Sequence, residues 1–379
     1  MSTFPLHLGS AVDKAAQFCT YCPRLCRFAC PIAEVEHRES TTPWGLMRLL
    51  EYARQGSVDF DDDVSEMFYH CTGCGRCQEI CKHDIDVPRA VWKARSLGKT
   101  PAALEGFVDF FEQEKHPHRK STILEESKVA DVFDVSARDA FFPDCETRRY
   151  QPDLVFRIGE ALEIILGEKV KLSTRLGKEG EEEGHGCCGF PLSAAGDVDA
   201  LKNHSADLEY EHLSFDRVFT DCASFYAMSI NDTFGVKNDT QVIYLPSFLA
   251  ENIKSEHVLY PLSLEGSFYH DSCLATRHTE ASEDIRKLLS LISDEEIGEF
   301  SSNHKQAPCC GGASHYHVIA EAASEKCASD RFEQLEREGG NKIVTSCQTC
   351  VKQFSRVDAE VENLLSLVCD ALGITKVEE

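Results

Sequence analysis

Apolar positions in the second two thirds of the chain follow two rhythms. Short, nearly continuous apolar runs end in polar residues and read as strands: DAFFPDC (139–145), RVFTDC (217–222), QVIYLP (241–246), GSFYHDSC (266–273) and KIVTSC (342–347). Between them lie stretches with apolar residues at helical spacing: PDLVFRIGEALEIIL (152–166), DVDALKNHSADLEYEHL (197–213), SEDIRKLLSLI (282–292) and IAEAASEKCASDRFEQLERE (319–338). Strands alternating with helices predict a parallel sheet flanked by helices, with ligands expected where the strands end. The first third shows only the helical rhythm. In TPWGLMRLLEYARQG, Pro43 suits a first turn, Leu46, Leu49, Leu50 and Ala53 form one stripe, and Gly56 suits an end. Residues 88–120 also read as helical and close on the charged, Pro-containing EKHPHRK, a candidate linker.

The strand-ending positions repeat. Cys145, the pair Cys187 and Cys188, and Cys222 are followed by Cys273, the pair Cys309 and Cys310, and then Cys347 and Cys350. Cys273 lies 128 residues after Cys145, Cys309 122 after Cys187, and Cys347 125 after Cys222. A near-constant offset at three landmarks indicates an internal duplication. In APCCGGASH the neighbouring thiols would point to opposite faces of an extended strand, so Gly311 and Gly312 predict a turn that lets both face one centre.

With 379 residues, two or three domains are expected. The chain has 39 basic and 64 acidic residues, a net charge of -25, which repels phosphate backbones and argues against nucleic-acid binding. No stretch has the length and apolar character of a signal peptide or a membrane helix. A cytoplasmic location is therefore expected, with any membrane contact supplied by a partner. In a reducing compartment, 19 cysteines suit metal ligation better than disulfides.

Eight cysteines lie in two early runs: Cys19, Cys22, Cys26 and Cys30, then Cys71, Cys74, Cys77 and Cys81. The second run has the C-x2-C-x2-C-x3-C spacing of ferredoxin-type 4Fe-4S sites, in which the fourth thiolate serves the other cluster. The first carries one extra residue before Cys26, although Pro31 follows its last cysteine as expected. Paired zinc sites would present two C-x2-C knuckles across a longer loop. Arg24, Arg27, Arg76 and Lys82 lie beside these cysteines, as His270, Asp271, His278 and His185 do beside later ones, so they are candidates for tuning charge or supplying protons. Cys327 and Cys369 read as buried small hydrophobes. No G-x-G-x-x-G or Walker sequence supports flavin, nicotinamide or nucleotide binding by this chain.

The duplicated C…CCG…CxxC pattern behind a two-cluster domain resembles the cysteine-rich CCG family. That family includes the heterodisulfide reductase catalytic subunit and the iron-sulfur subunits of glycolate, lactate and anaerobic glycerol-3-phosphate dehydrogenases. YHDSCLATRH and TTPWGLMRLL also resemble family segments. The resemblance implies an α+β multidomain chain: an all-helical ferredoxin-type domain over 1–125, a first CCG domain over 126–255 and a second over 256–379. It assigns Cys273, Cys309, Cys310, Cys347 and Cys350 to a non-cubane 4Fe-4S cluster, beside two ferredoxin-type 4Fe-4S clusters. In the first repeat Phe225 stands where the family has its last cysteine, so Cys145, Cys187, Cys188 and Cys222 form an incomplete set that would hold a further cluster or none. The expected role is an electron-transfer subunit of an oxidoreductase complex. It would relay single electrons between a flavoprotein dehydrogenase partner and a quinone, membrane or thiol acceptor. The alternative is a disulfide reductase acting at the C-terminal cluster.

Overall fold

The computed structural model describes residues 8–114, 117, 124, 126–173, 186–212, 215–231 and 241–375. His185 and most of EKHPHRK lie outside the described residues. Residues 8–114 are helical throughout their regular structure. The helix Pro43–Arg54 begins as its sequence predicts: Thr42 Oγ1 accepts from Gly45 N at 2.9 Å, and Pro43 occupies the first turn. Of its predicted stripe Leu46, Leu50 and Ala53 are buried and Leu49 is half-buried, while Met47 takes the buried place beside them. The expectation of continuous helix after residue 87 needs correction, because the chain forms Val87–Arg95, a short 3-10 turn at Ala102–Leu104 and Phe107–Glu114. Pro101 lacks the amide a helix would use, and Gly106 adopts a left-handed backbone at φ 71°.

Two four-stranded, all-parallel sheets follow. The first contains β1 Asp139–Phe142, β2 Lys171–Leu172, β3 Arg217–Thr220 and β4 Val242–Tyr244, in the order β2-β1-β3-β4. The second contains β5 Ser267–Tyr269, β6 Gly298–Glu299, β7 Lys342–Thr345 and β8 Val361–Asn363, in the equivalent order β6-β5-β7-β8. Registers such as Ala140 opposite Val218 and Phe268 opposite Ile343 align the strand ends. Short strands buried on both faces need no polar alternation, which is why the apolar runs are continuous. The sequence stretch QVIYLP divides, with Val242–Tyr244 in the sheet and Leu245 opening a helix. Strands β2, β6 and β8 offer too few apolar residues to be visible in the pattern.

The main apolar cluster runs from the N-terminal helices into both sheets, joining Leu46, Leu50 and Trp92 to Phe141, Phe219, Tyr269 and Val344, and a separate cluster around Phe300, Leu335, Ile343 and Phe354 covers the other side of the second sheet. The helix Pro152–Leu166 packs on Leu364–Ala371, where buried Arg157 donates to Asp370 Oδ1 at 2.5 Å, to Ser366 Oγ at 3.1 Å and to Ile374 O at 3.0 Å. Two buried imidazoles join other seams: His278 Nε2 donates to Gly73 O at 3.1 Å, and His315 Nε2 donates to Pro191 O at 2.9 Å.

Burial holds both imidazoles at about 4, below the ordinary 6.5. Below about pH 6.5 the unfolded chain takes up protons that the folded chain refuses until about pH 4, so the two imidazoles' contribution to folding stability is constant above that window and falls through it. Thermal denaturation of the apoprotein is expected to show this loss between pH 6.5 and 4. His315→Gln, which keeps a donor for Pro191, should remove roughly 3 kcal/mol of it.

Candidate iron-sulfur centres

The cysteine runs meet by exchanging their last members. Cys19 is crowded by Cys22, Cys26 and Cys81, and burial together with that repulsion pushes its thiol up to about 12. Cys26 rises to about 11 for the same reasons. In the second group, burial lifts Cys30 and Cys77 well above the usual thiol range, with Cys74 and Cys71 adding repulsion to each. Cys30, Cys71, Cys74 and Cys77 line one small cavity under Thr41 and Leu46. Gly73, at φ 70°, passes so close to the Trp92 ring that a Cβ would lie 2.2 Å from it.

The strand ends place the remaining cysteines as the sequence suggests. Cys145 and Cys222 follow β1 and β3, while Cys273 and Cys347 follow β5 and β7. In the second sheet, Cys310 Sγ lies 3.0 Å from Cys350 Sγ, and Cys309 contacts Cys310 and Cys273. Gly311 supplies the anticipated turn: its φ is 88°, and a Cβ there would meet Ser324 O at 2.6 Å. In the first sheet, Cys187 Sγ lies 3.7 Å from Cys145 Sγ, and Cys222 Sγ lies 3.9 Å from Cys188 Sγ. Cys222 and Cys347 both stand at helix N-caps, so Phe225 occupies the turn of its helix that Cys350 occupies in the other. The Phe225 ring is buried, 4.8 Å from the Phe142 ring. It fills the core where a fifth thiol would otherwise approach.

Both sites open on one cleft of about 290 Å³. The first sheet contributes Cys145, Cys187, Cys188 and Cys222, and the second contributes Cys273, Cys310, Cys347 and Cys350. Asp144, Asp221, Glu146 and Lys352 also line it, with Lys352 Nζ 3.3 Å from Glu146 Oε2. Burial raises the Asp144 and Asp221 carboxyls, and Asp221, which accepts from Thr147 Oγ1 at 2.7 Å, reaches about 6. Cys309 turns the other way and contacts Cys74, which that contact, with help from Arg277, draws down to about 5.

Of the charged residues singled out in the sequence, Arg76 donates to Ala29 O at 3.1 Å, and both Arg24 and Arg27 pair with Glu39. Asp271 is engaged by Arg286 through bonds of 2.9 Å to each carboxylate oxygen. His270 accepts at Nδ1 from Arg331 Nε at 3.2 Å, which leaves its proton on Nε2, facing Cys310. Cys327 and Cys369 are buried, as expected.

Sequence reasoning missed three arginines. Arg331 lies over the Phe300 ring at 3.5 Å and fixes the His270 tautomer. Arg277 donates to Cys74 O at 2.5 Å and to Ala307 O at 2.9 Å, bridging the dicluster region to the second sheet. Arg95 is fully buried between the Tyr69 and Trp92 rings and donates to Phe68 O at 2.8 Å, Cys71 O at 2.6 Å, Ala194 O at 3.0 Å and Ser314 Oγ at 2.6 Å. Each acts across a long sequence separation, so no local spacing marks it.

Groups of four or five soft donors, buried and repelling one another as thiolates, fit a cationic iron-sulfur core that would cancel the repulsion. Residues 15–85 match the family described as 4Fe-4S dicluster domain, and residues 268–355 match the family described as cysteine-rich domain, or CCG. The chain's relatives include iron-sulfur components of oxidoreductase complexes and uncharacterized iron-sulfur proteins. One belongs to the fumarate reductase (CoM/CoB) of Methanothermobacter marburgensis and is 25% identical over 367 residues, covering 90% of this chain and 70% of that protein. Another belongs to the dihydromethanophenazine:CoB–CoM heterodisulfide reductase of Methanosarcina mazei and is 25% identical over 346 residues, covering 83% and 80%. A probable glycolate oxidase iron-sulfur subunit of Bacillus subtilis is 22% identical over 389 residues, covering 87% and 86%. The matched CCG domain includes the whole second sheet site, Cys273 to Cys350, and the dicluster domain includes both early runs.

Arg95 holds the dicluster domain against both sheets. Arg95→Met, close in volume but without donors, should strand the Phe68, Cys71 and Ala194 carbonyls and lower unfolding stability by about 3 kcal/mol. Denaturant unfolding of the apoprotein would measure this.

Proposed function

We propose that this chain is the electron-transfer subunit of an oxidoreductase complex, with ferredoxin-type ligand sets Cys19, Cys22, Cys26, Cys81 and Cys71, Cys74, Cys77, Cys30. Cys273, Cys309, Cys310, Cys347 and Cys350 would hold a non-cubane 4Fe-4S cluster. The bound clusters supply one-electron storage with little rearrangement of their ligands. The observation that carries the reading is the contact of Cys74 with Cys309, which joins a dicluster ligand directly to a CCG ligand. Arg277, donating to Cys74 O beside that contact, holds positive charge where an added electron would pass.

The like strand order of the two sheets supports a duplicated pair of CCG domains over 126–255 and 256–379, behind a dicluster domain over 1–125. The first sheet's Cys145, Cys187, Cys188 and Cys222 would form the incomplete member of the pair. A flavoprotein dehydrogenase would supply single electrons, and a quinone, a membrane partner or a thiol carrier would exchange them at the other end. Among the described residues no helix is long and apolar enough to cross a membrane. The chain would work in the cytoplasm and reach a membrane through a partner.

Anaerobically purified protein should contain about twelve irons per chain, counting two cubanes and one CCG cluster, or about sixteen if the first-sheet set is also loaded. Cys310→Ser should remove one atypical paramagnetic resonance species while the dicluster signals persist. Loss of all signals together would overturn the domain division.

The shared cleft favours a second reading, reduction of a disulfide between the two sheet sites. Reduced viologen turnover with disulfides by the isolated reconstituted chain would establish it. No turnover, with intact clusters, leaves the relay role.

A further inference from the structure

We propose that the loop over residues 18–28 is the docking face for an acidic redox protein whose cofactor lies at an apolar edge. The inference rests on the electron-transfer reading and adds where, and to what chemistry, the partner binds. Phe18, Tyr21, Leu25 and Phe28 are 47%, 86%, 51% and 73% exposed. Four large apolar side chains facing solvent within eleven residues, from the end of the helix Ser10–Cys19 to the 3-10 turn Leu25–Ala29, are more than scattered surface hydrophobes, and such patches mark contact sites.

The loop is held in place rather than collapsed. Phe18 meets the His83 ring edge-on at 4.3 Å, Trp44 Nε1 donates to Cys19 O at 2.8 Å, and the Arg24 guanidinium covers the Trp44 ring at 4.8 Å. Leu25–Ala29 forms a 3-10 turn that lifts Leu25 and Phe28 outward.

The charge of this face is opposite to that of the chain. The protein carries -25 overall, yet residues 18–28 contain Arg24 and Arg27 and no acid, while Lys14 behind them is balanced by Asp13. Lys82 stands exposed beside Cys81. Glu39, which pairs with both arginines, offsets one charge and leaves the face positive. An apolar centre flanked by two arginines that share one carboxylate fits an acidic partner with an apolar contact edge, and complementary charge speeds such encounters.

The same loop encloses Cys19, Cys22, Cys26 and Cys81. Cys22, Cys26 and Cys81 are partly exposed, whereas of the second-sheet cysteines Cys273, Cys309, Cys310 and Cys350 are buried and Cys347 alone is partly exposed. Electron transfer weakens steeply with distance, so a redox partner gains most by binding where these cysteines approach the surface.

The test uses the reconstituted holoprotein and flavodoxin hydroquinone, a small acidic flavoprotein reductant, in stopped flow. The rate constant should fall as salt rises, and Arg24→Glu with Arg27→Glu should lower it about tenfold or more at low salt. Tyr21→Ser with Phe28→Ser should lower it without changing the salt slope. Photoreduced 5-deazariboflavin, small and uncharged, should reduce the wild type and Tyr21→Ser/Phe28→Ser at one rate. If it reduces none of them, the electron-transfer reading itself fails. If it reduces them all while the flavodoxin rate ignores the substitutions, the docking face is overturned. It is also overturned if the loop binds phosphatidylglycerol vesicles or a second copy of the chain, with either association lost in Tyr21→Ser/Phe28→Ser.

Discussion

Arg95 is the point on which the arrangement of the chain turns. A guanidinium with no access to water must be satisfied on every side, and its acceptors come from three separate parts of the sequence: Phe68 and Cys71, Ala194, and Ser314. Each was chosen by the fold, because a carbonyl displaced by an ångström would leave either a buried N–H or a buried oxygen unmet. The nearest titratable groups are Cys71 and Tyr69, so the cation sits against a donor of the second cysteine group. A cluster bound there would be anionic overall, and it would find its counter-charge already in place. The same residue therefore serves architecture and electrostatics, and neither role can be altered alone.

The two sheets show how one topology carries different chemistry. The helix after β3 and the helix after β7 begin alike, each with a cysteine at its N-cap, yet one presents Phe225 and the other Cys350 a turn later. In the first sheet Asp144 and Asp221 precede the strand-end cysteines, where the second sheet has Ser272 and Ser346. Burial raises both carboxyls of the first wall above the ordinary carboxylate range. The second wall carries the thiols of Cys273, Cys310, Cys347 and Cys350. The asymmetry is suited to a cleft whose sides contribute unequally.

Much of this was legible in the sequence, because local physics writes it there. The helix at Pro43–Arg54 announces itself through Thr42, Pro43 and its apolar stripe, and the strand-end cysteines stand out because buried parallel strands are short, apolar and abruptly terminated. The exchange of Cys30 and Cys81 between the groups also follows from spacing. What was not legible depends on distance in sequence. Arg277, Arg331 and Arg95 lie on stretches with no unusual composition and matter only because folding brings Cys74, His270 and Cys71 to them. The shared cleft is of the same kind, since nothing within either repeat says that the two face each other. The break at Pro101 to Gly106 was present as residues but overruled by the surrounding helical rhythm.

The exchange of Cys30 and Cys81 also sets an order of events during synthesis. On the ligand sets proposed here, a nascent chain that has emerged only through residue 70 holds four thiols and no complete site. Cys77 closes one set and Cys81 closes the other almost immediately afterwards. The first run must then wait, open and oxidisable, for the whole intervening helix to leave the ribosome. Once loaded, the two centres are linked like rings of a chain, and neither run can be withdrawn without opening both.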